Sequence, residues 1–428
     1  MHMNNKKTVL PKHRFPEFNS CHKWEITTLG EISEPIDEKV GSKNCILMSV
    51  TAGKGLVPQK EKFGREIAGN SYRNYYVVRK NDFAYNKSAT KQFPEGYIAM
   101  LEDYDEAALP NSIFTCFRIT DKECVPAFIN QLFQSNYHGK WLRKYIEVGA
   151  RAHGSLNIDC NYLWNMPIAL PRKKEQEKVA LVLTEFEELI CKETSKLKML
   201  QKHKKGLLTK LVPKQGESVP EWRFNANLNV GKWETTTLGS IGTFIRGLTY
   251  SSNDVVKNGM LVLRSGNIQN HQIVFDDLVF VDKKTADEFQ LKKNDVIICM
   301  SNGSKKLVGK TAEYVGNYDK PITVGAFCSI FRSENPLAKY FFQTESYNKY
   351  ISNKIEGGNI NNLKNSDLET FGISIPKNPR ELEKIVETLL SIDNLILLQT
   401  DRINMLKRQK DGLIQNLFPS FEEVSKQI

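Results

Sequence analysis

Arginine, lysine, asparagine and glutamine gather on short polar stretches in both halves of this chain. These side chains can donate and accept hydrogen bonds at the edges of nucleic-acid bases. In the first half, "NKSATKQF" offers Lys87, Lys91 and Gln92, and "EVGARAHGSLN" offers Arg151, His153 and Asn157. In the second half, "RSGNIQNHQ" offers Arg264, Asn267, Gln269 and Asn270, "SNGSKKL" offers Asn302, Ser304, Lys305 and Lys306, and "EGGNINN" offers Asn359, Asn361 and Asn362. Polar loop residues also build turns, so residue type alone does not separate a contact from a turn former.

Signals for catalysis fall short. "SKKLVGKT" (Ser304 to Thr311) approaches the phosphate-loop pattern, but Ser304 stands where its first glycine must let backbone amides reach a phosphate. "NMPI" (Asn165 to Ile168) approaches the N-P-P-[YF] pattern of adenine methyltransferases, but Met166 and Ile168 replace the second residue and the aromatic that stacks on a flipped base. It reads more simply as a strand. The seven histidines form no triad or metal pair, and the eight cysteines stand singly without zinc spacing. A protein without a metal, disulfides or catalytic equipment of its own is expected.

Composition bounds the rest. With 428 residues, 40% hydrophobic and 25% charged, the chain has room for two or three folded domains. No apolar run is long enough to cross a membrane, and "MHMNNKKTVL" lacks the apolar stretch of a signal peptide, so the expected location is cytoplasmic. The net charge of +11 favours a polyanionic partner.

The elements that carry these loops come in duplicate. "KWEITTLGEI" at residues 23–32 and "KWETTTLGSI" at 232–241 match at eight of ten positions with an offset of 209. Upstream, "PKHRF" (Pro11, Arg14, Phe15) aligns with "PEWRF" (Pro220, Arg223, Phe224). Further on, "KNDFAY" (Lys80 to Tyr85) matches "KNDVII" (Lys293 to Ile298), and Phe117-Arg118 matches Phe331-Arg332. Between these anchors the sequences diverge. A repeat this long implies two whole domains, one framework carrying two different sets of loops. Arg14/Arg223 and Trp24/Trp233 recur in both copies, which suits framework or partner docking; residues shared by both copies cannot tell two targets apart.

Each copy closes on a long Leu-, Lys- and Glu-rich segment flanked by prolines, as helix boundaries require. In the first, Leu183, Phe186, Ile190, Glu193, Leu197, Leu200, Lys204, Leu207 and Leu211 step alternately by three and four; in the second, Leu389, Ile392, Ile396, Gln399, Ile403, Leu406, Lys410, Leu413 and Leu417 do the same. These are heptad seams with polar breaks at matching places, and they predict an antiparallel coiled coil with pseudo-two-fold symmetry. Placing Glu193 opposite Lys410 and Lys204 opposite Gln399 lets every polar break meet a polar partner, with Leu197 against Leu406 and Leu200 against Ile403. Helices of this length span ~55 Å, roughly one to one and a half turns of duplex DNA. A basic run, Lys196, Lys198, Lys202, Lys204 and Lys205, suits spacer phosphates or a solvated face. The expected fold is thus two α/β (α+β) globular domains, residues 8–169 and 218–375, joined by a central helix at 170–213 and a C-terminal helix at 376–419.

The helix ends "GLLTKLVP" and "GLIQNLFP", the P-x-x-R-F and W-E openings and the domain-helix-domain-helix order resemble the specificity (S) subunit of type I restriction-modification enzymes over essentially the whole chain. The resemblance implies a non-catalytic subunit with two target recognition domains, each reading one half of an asymmetric, bipartite site in double-stranded DNA. It implies helices that hold the spacing and dock two methyltransferase (M) subunits, with restriction and translocase (R) subunits joining through them. S-adenosylmethionine would be held by the M subunits and ATP with magnesium by the R subunits, so no cofactor is expected in this chain. The rival readings are a stand-alone DNA methyltransferase or NTPase, and a coiled-coil adaptor that binds only proteins.

Overall fold

The computed structural model describes residues 7–51, 53–67, 70–90, 92–146, 156, 158–224, 231–282, 287–356 and 362–427. The chain forms two compact units, Met1–Thr194 with Asp401–Ile428, and Ser195–Thr400. Two long helices, Lys173–Leu211 and Pro379–Leu417, follow the duplicated sequence. Each is free of interior proline, carries a glutamate in its first turn where the helix dipole favours an anion, and stops just ahead of a proline. Each unit holds one half of each helix.

In the first unit, Trp24–Thr28 pairs antiparallel with Thr8–Val9 and Pro167–Leu170. A four-stranded antiparallel sheet runs Ser33–Pro35, Phe114–Ile119, Phe83–Asn86, Tyr97–Met100. A second sheet runs Gly55–Pro58, Ile46–Thr51, Glu106–Leu109, Tyr76–Arg79, with Ile46–Thr51 parallel to Glu106–Leu109. The second unit repeats this plan. Glu234–Thr237 pairs with Gly372–Ile375, an antiparallel sheet runs Thr243–Arg246, Cys328–Arg332, Val296–Cys299, Thr311–Glu313, and the mixed sheet contains Met260–Leu263 parallel to Ile322–Val324. It adds a hairpin, Ile268–Gln269 with Gln272–Ile273, whose turn residues Asn270 and His271 are left-handed at φ 50° and 62°.

The repeated anchors are framework. The Asp of each "KND" turn accepts from a backbone amide three residues upstream, Asp82 from Arg79 at 2.6 Å and Asp295 from Lys292 at 2.7 Å. Its carboxylate then takes the arginine of the repeated Phe-Arg: Arg118 reaches Asp82 at 2.6 and 2.7 Å, and Arg332 reaches Asp295 at 2.7 and 3.0 Å. Asn81 and Asn294 hold the left-handed position of the turn, at φ 72° and 73°.

The P-x-x-R-F segment is a strap across two helices. In the first unit the Arg14 guanidinium donates to both oxygens of Glu175, at 2.8 and 2.5 Å, and the Trp24 indole donates to the same carboxylate at 3.2 Å. One residue earlier, the His13 amide donates to the carbonyl of Asn416 at 3.0 Å, near the end of the other long helix. In the second unit Arg223 reaches both oxygens of Glu381 at 2.7 Å, and the Trp222 amide donates to Lys210 at 2.8 Å. Hydrogen bonding to these carboxylates raises both guanidinium pKa values above the ordinary range.

Helix pairing is antiparallel within each unit. The first core packs Val179, Ala180 and Leu183 with Leu417 and Phe418, and the second packs Leu208 and Leu211 with Ile385 and Leu389. All twelve central seam residues, Ile190, Glu193, Leu197, Leu200, Lys204, Leu207, Ile396, Gln399, Ile403, Leu406, Lys410 and Leu413, are buried or half-buried.

The register differs from the expected one by roughly one heptad. Lys410 meets Glu187 and not Glu193, Glu193 meets Arg402 at 3.0 Å, and Lys204 meets Asp393 at 2.5 Å and not Gln399. Long side chains leave the seam sideways to reach a charge on its flank, so polar breaks need not face each other. Each domain also joins in: Gln131 donates to Glu187 at 3.2 Å, and Tyr340 donates to Asp393 at 2.9 Å. Burial raises the Tyr340 phenol pKa, so it stays a donor.

Replacing Asp393 with Ala strands the Lys204 ammonium and the Tyr340 hydroxyl and should cost about 1.5–3 kcal/mol in urea denaturation. A seam with Lys204 against Gln399 would leave that variant as stable as the parent.

Candidate nucleic-acid interface

Three of the sequence-selected stretches of the second unit converge. Ser301 and Asn362 form an antiparallel bridge, and the Leu363 amide donates to Met300 at 2.8 Å. Asn302 donates to the Ser265 hydroxyl at 3.0 Å while its carbonyl oxygen accepts from the Ser304 amide at 3.0 Å, an Asx turn that shapes the loop. Ser304, Lys305, Lys306, Gln269, Asn270 and Asn362 are exposed. Beside them lies a cleft of about 380 Å³ lined by His271, Lys305, Lys306, Lys310, Asn348 and Ser352 among others. Such a cluster supplies amine and amide donors with a net positive charge, the chemistry that meets phosphates and base edges.

Two residues selected with them are used internally. Asn267 is buried; its amide donates to the carbonyls of Val274 at 3.0 Å and Asp276 at 2.7 Å, and its oxygen accepts from the Arg264 amide at 2.9 Å. Arg264 donates to the carboxylate and the carbonyl of Asp277, both at 2.7 Å. Both build the loop that presents Gln269 and Asn270.

The first unit makes the corresponding junction. The Leu156 amide donates to the carbonyl of Lys87 at 2.9 Å, bringing together the two stretches selected there. Lys87 is half-buried, with its ammonium 3.4 Å from the Cys160 sulfur, and Gln92 is exposed. Lys91, Arg151, His153, Asn157, Asn359 and Asn361 lie outside the described residues. On the first long helix, Lys196, Lys198 and Lys202 are exposed, whereas Lys204 and Lys205 are paired with Asp393 and Glu345.

The near-miss motifs take other structural roles. Ser304–Thr311 leads into the strand Thr311–Glu313, where a phosphate loop leads into a helix. Pro167–Leu170 is a strand, with Met166 and Ile168 fully buried, so the "NMPI" stretch belongs to the core. Among the described residues no group of His, Cys, Asp or Glu could hold a metal ion, and no helix is long and apolar enough to cross a membrane. The cysteines are free thiols.

Residues 231–408 match the family model described as the type I restriction modification DNA specificity domain. This segment, most of the second unit with part of its long helix, is similar to that domain. It is 30% identical over 203 residues to the type I restriction enzyme StySPI specificity subunit of Salmonella potsdam, covering 44% of this chain and 43% of the relative. It is 34% identical over 172 residues to the EcoKI specificity subunit of Escherichia coli, covering 37% and 36%. The chain thus spans less than half the length of these two curated relatives. Among solved structures, the S subunit of a type I restriction-modification system from M. genitalium superposes with a TM-score of 0.55 at 16% identity, covering 96% of this chain and 100% of the other, so the specificity-subunit fold is shared.

The division between framework and surface is testable. Asn267→Ala should destabilise the protein by about 1–3 kcal/mol, because two carbonyls lose their donor, while Lys306→Ala should stay within about 0.5 kcal/mol in the same denaturation experiment.

Proposed function

We propose that the chain is the DNA-reading, non-catalytic subunit of a type I restriction-modification complex. Its recognition domains, residues 8–169 and 218–375, each read one half of an asymmetric bipartite site in double-stranded DNA. The long helices, in segments 170–213 and 376–419, set the spacer and dock two M subunits, and R subunits join through the complex. In this reading S-adenosylmethionine belongs to the M subunits and ATP with magnesium to the R subunits, and the protein works in the cytoplasm.

The observation that carries the reading is a framework repeated down to its ion pairs, Asp82–Arg118 with Asp295–Arg332 and Arg14–Glu175 with Arg223–Glu381, beneath loops that differ. Corresponding scaffolds place two different surfaces in equivalent positions, as two different half-sites require. The similarity of residues 231–408 to the type I restriction modification DNA specificity domain supports the same reading.

Mapping methylated adenines in a host that carries this subunit with its M partner should reveal a two-part, non-palindromic motif. Exchanging residues 218–375 for those of a relative should alter one half of that motif and leave the other intact. A motif that changes in both halves, or in neither, contradicts the assignment.

A further inference from the structure

The repeat leaves a large apolar side chain in solvent at the same place in both units. Ile113 is 47% exposed and Phe327 is 70% exposed. Each immediately precedes the strand that carries the repeated Phe-Arg, Phe114–Ile119 in one unit and Cys328–Arg332 in the other. Because Arg118 and Arg332 close on the equivalent Asp82 and Asp295, the two strands are in register and the two positions correspond.

Strand pairing sets both residues beside the candidate contact loops. Phe114 faces Asn86, so Ile113 is one step beyond the last pair, at the level of Lys87; Cys328 faces Cys299, so Phe327 is at the level of Met300. The Phe327 carbonyl accepts from the amides of Met300 at 2.8 Å and Ser301 at 3.2 Å, and from Ser301 the chain runs directly into Asn302, Ser304, Lys305 and Lys306. A phenylalanine this exposed, tied by its backbone to the start of a loop of amines and amides, does nothing for the core.

Among the groups that base pairs display in the major groove, the thymine methyl is the apolar one, and an apolar side chain is its complement. Resting on the DNA-reading function proposed above, we propose that Phe327 and Ile113 are specificity-determining residues, each packing on a thymine methyl group in the half-site read by its own domain. The neighbouring lysines supply the charge that favours DNA as the occupant of this surface. Different side chains at one framework position then give the two half-sites different apolar requirements.

The test uses the complex with its M subunits and a duplex carrying the mapped motif, in competition binding at one salt concentration. Phe327→Ala should weaken binding about five- to tenfold. Replacing one thymine of that half-site with uracil, which removes only the methyl, should weaken the parent complex to a similar extent and add nothing to the variant's loss. Ile113→Ala should behave likewise toward the other half-site, and Phe327→Leu should recover part of the affinity. Both positions are solvent-exposed, so unchanged melting temperatures are expected. Uracil scanning without effect on the parent, or losses from variant and uracil that multiply, overturns the proposal. So does release of M subunits from the Phe327→Ala complex in size-exclusion chromatography, which marks a protein contact. A parent complex with no preference for the motif duplex defeats the DNA-reading function itself, before any variant is compared.

Discussion

A buried arginine on a short strap, closed on a glutamate in the first turn of a long helix, is the interaction on which each unit depends. The side chains of Arg14 and Glu175 are 6% and 2% exposed, and those of Arg223 and Glu381 are 17% and 7% exposed. At such depth neither charge is tolerable alone, so the pair specifies one arrangement of strap and helix. The adjoining residue of each strap bonds to a carbonyl near the end of the other helix, Asn416 for His13 and Lys210 for Trp222. Strap, helix start and helix end are thereby fixed together, and the strand that follows the strap, Trp24–Thr28 or Glu234–Thr237, begins the framework from that fixed point.

A second network follows the same rule further along the helices. An acid on one helix, Glu187 or Asp393, receives a lysine from the other and a donor from the domain, Gln131 or Tyr340. The donor chemistry has changed between the repeats while the three-way junction has been kept. What must be preserved is a satisfied half-buried carboxylate, and an amide or a phenol serves equally. Divergence is therefore free to accumulate on loops that bear no framework load, and those loops are where the two units differ, as with the hairpin at Ile268–Ile273.

Much of this was legible in the sequence, for reasons that particular residues make plain. The helix seams were readable because apolar residues recur at three and four, and the seam residues are the covered ones. Their register was not, because Lys204 and Lys410 are long enough to find acids off the seam, which removes the penalty the polar-to-polar alignment relied on. The repeated Arg14 and Arg223 were recognisable as framework, but their partners lie more than 150 residues away and only folding brings them together. Asn267 and Asn302 looked alike as loop amides; one is buried in a turn and the other shapes an exposed loop. Ile113 and Phe327 carry no signal in the sequence, because an apolar residue at a strand end reads as core and only exposure at equivalent positions sets them apart.

The strap's role is tested most directly by a double-mutant cycle on Arg14 and Glu175, comparing Arg14→Met, Glu175→Gln and the double variant by chemical denaturation. Each single change should cost about 3–5 kcal/mol, and the double variant should cost much less than the two together, because the second change removes a charge already left unpaired. Single costs within about 0.5 kcal/mol of the parent, or costs that simply add, would contradict a strap held by this pair.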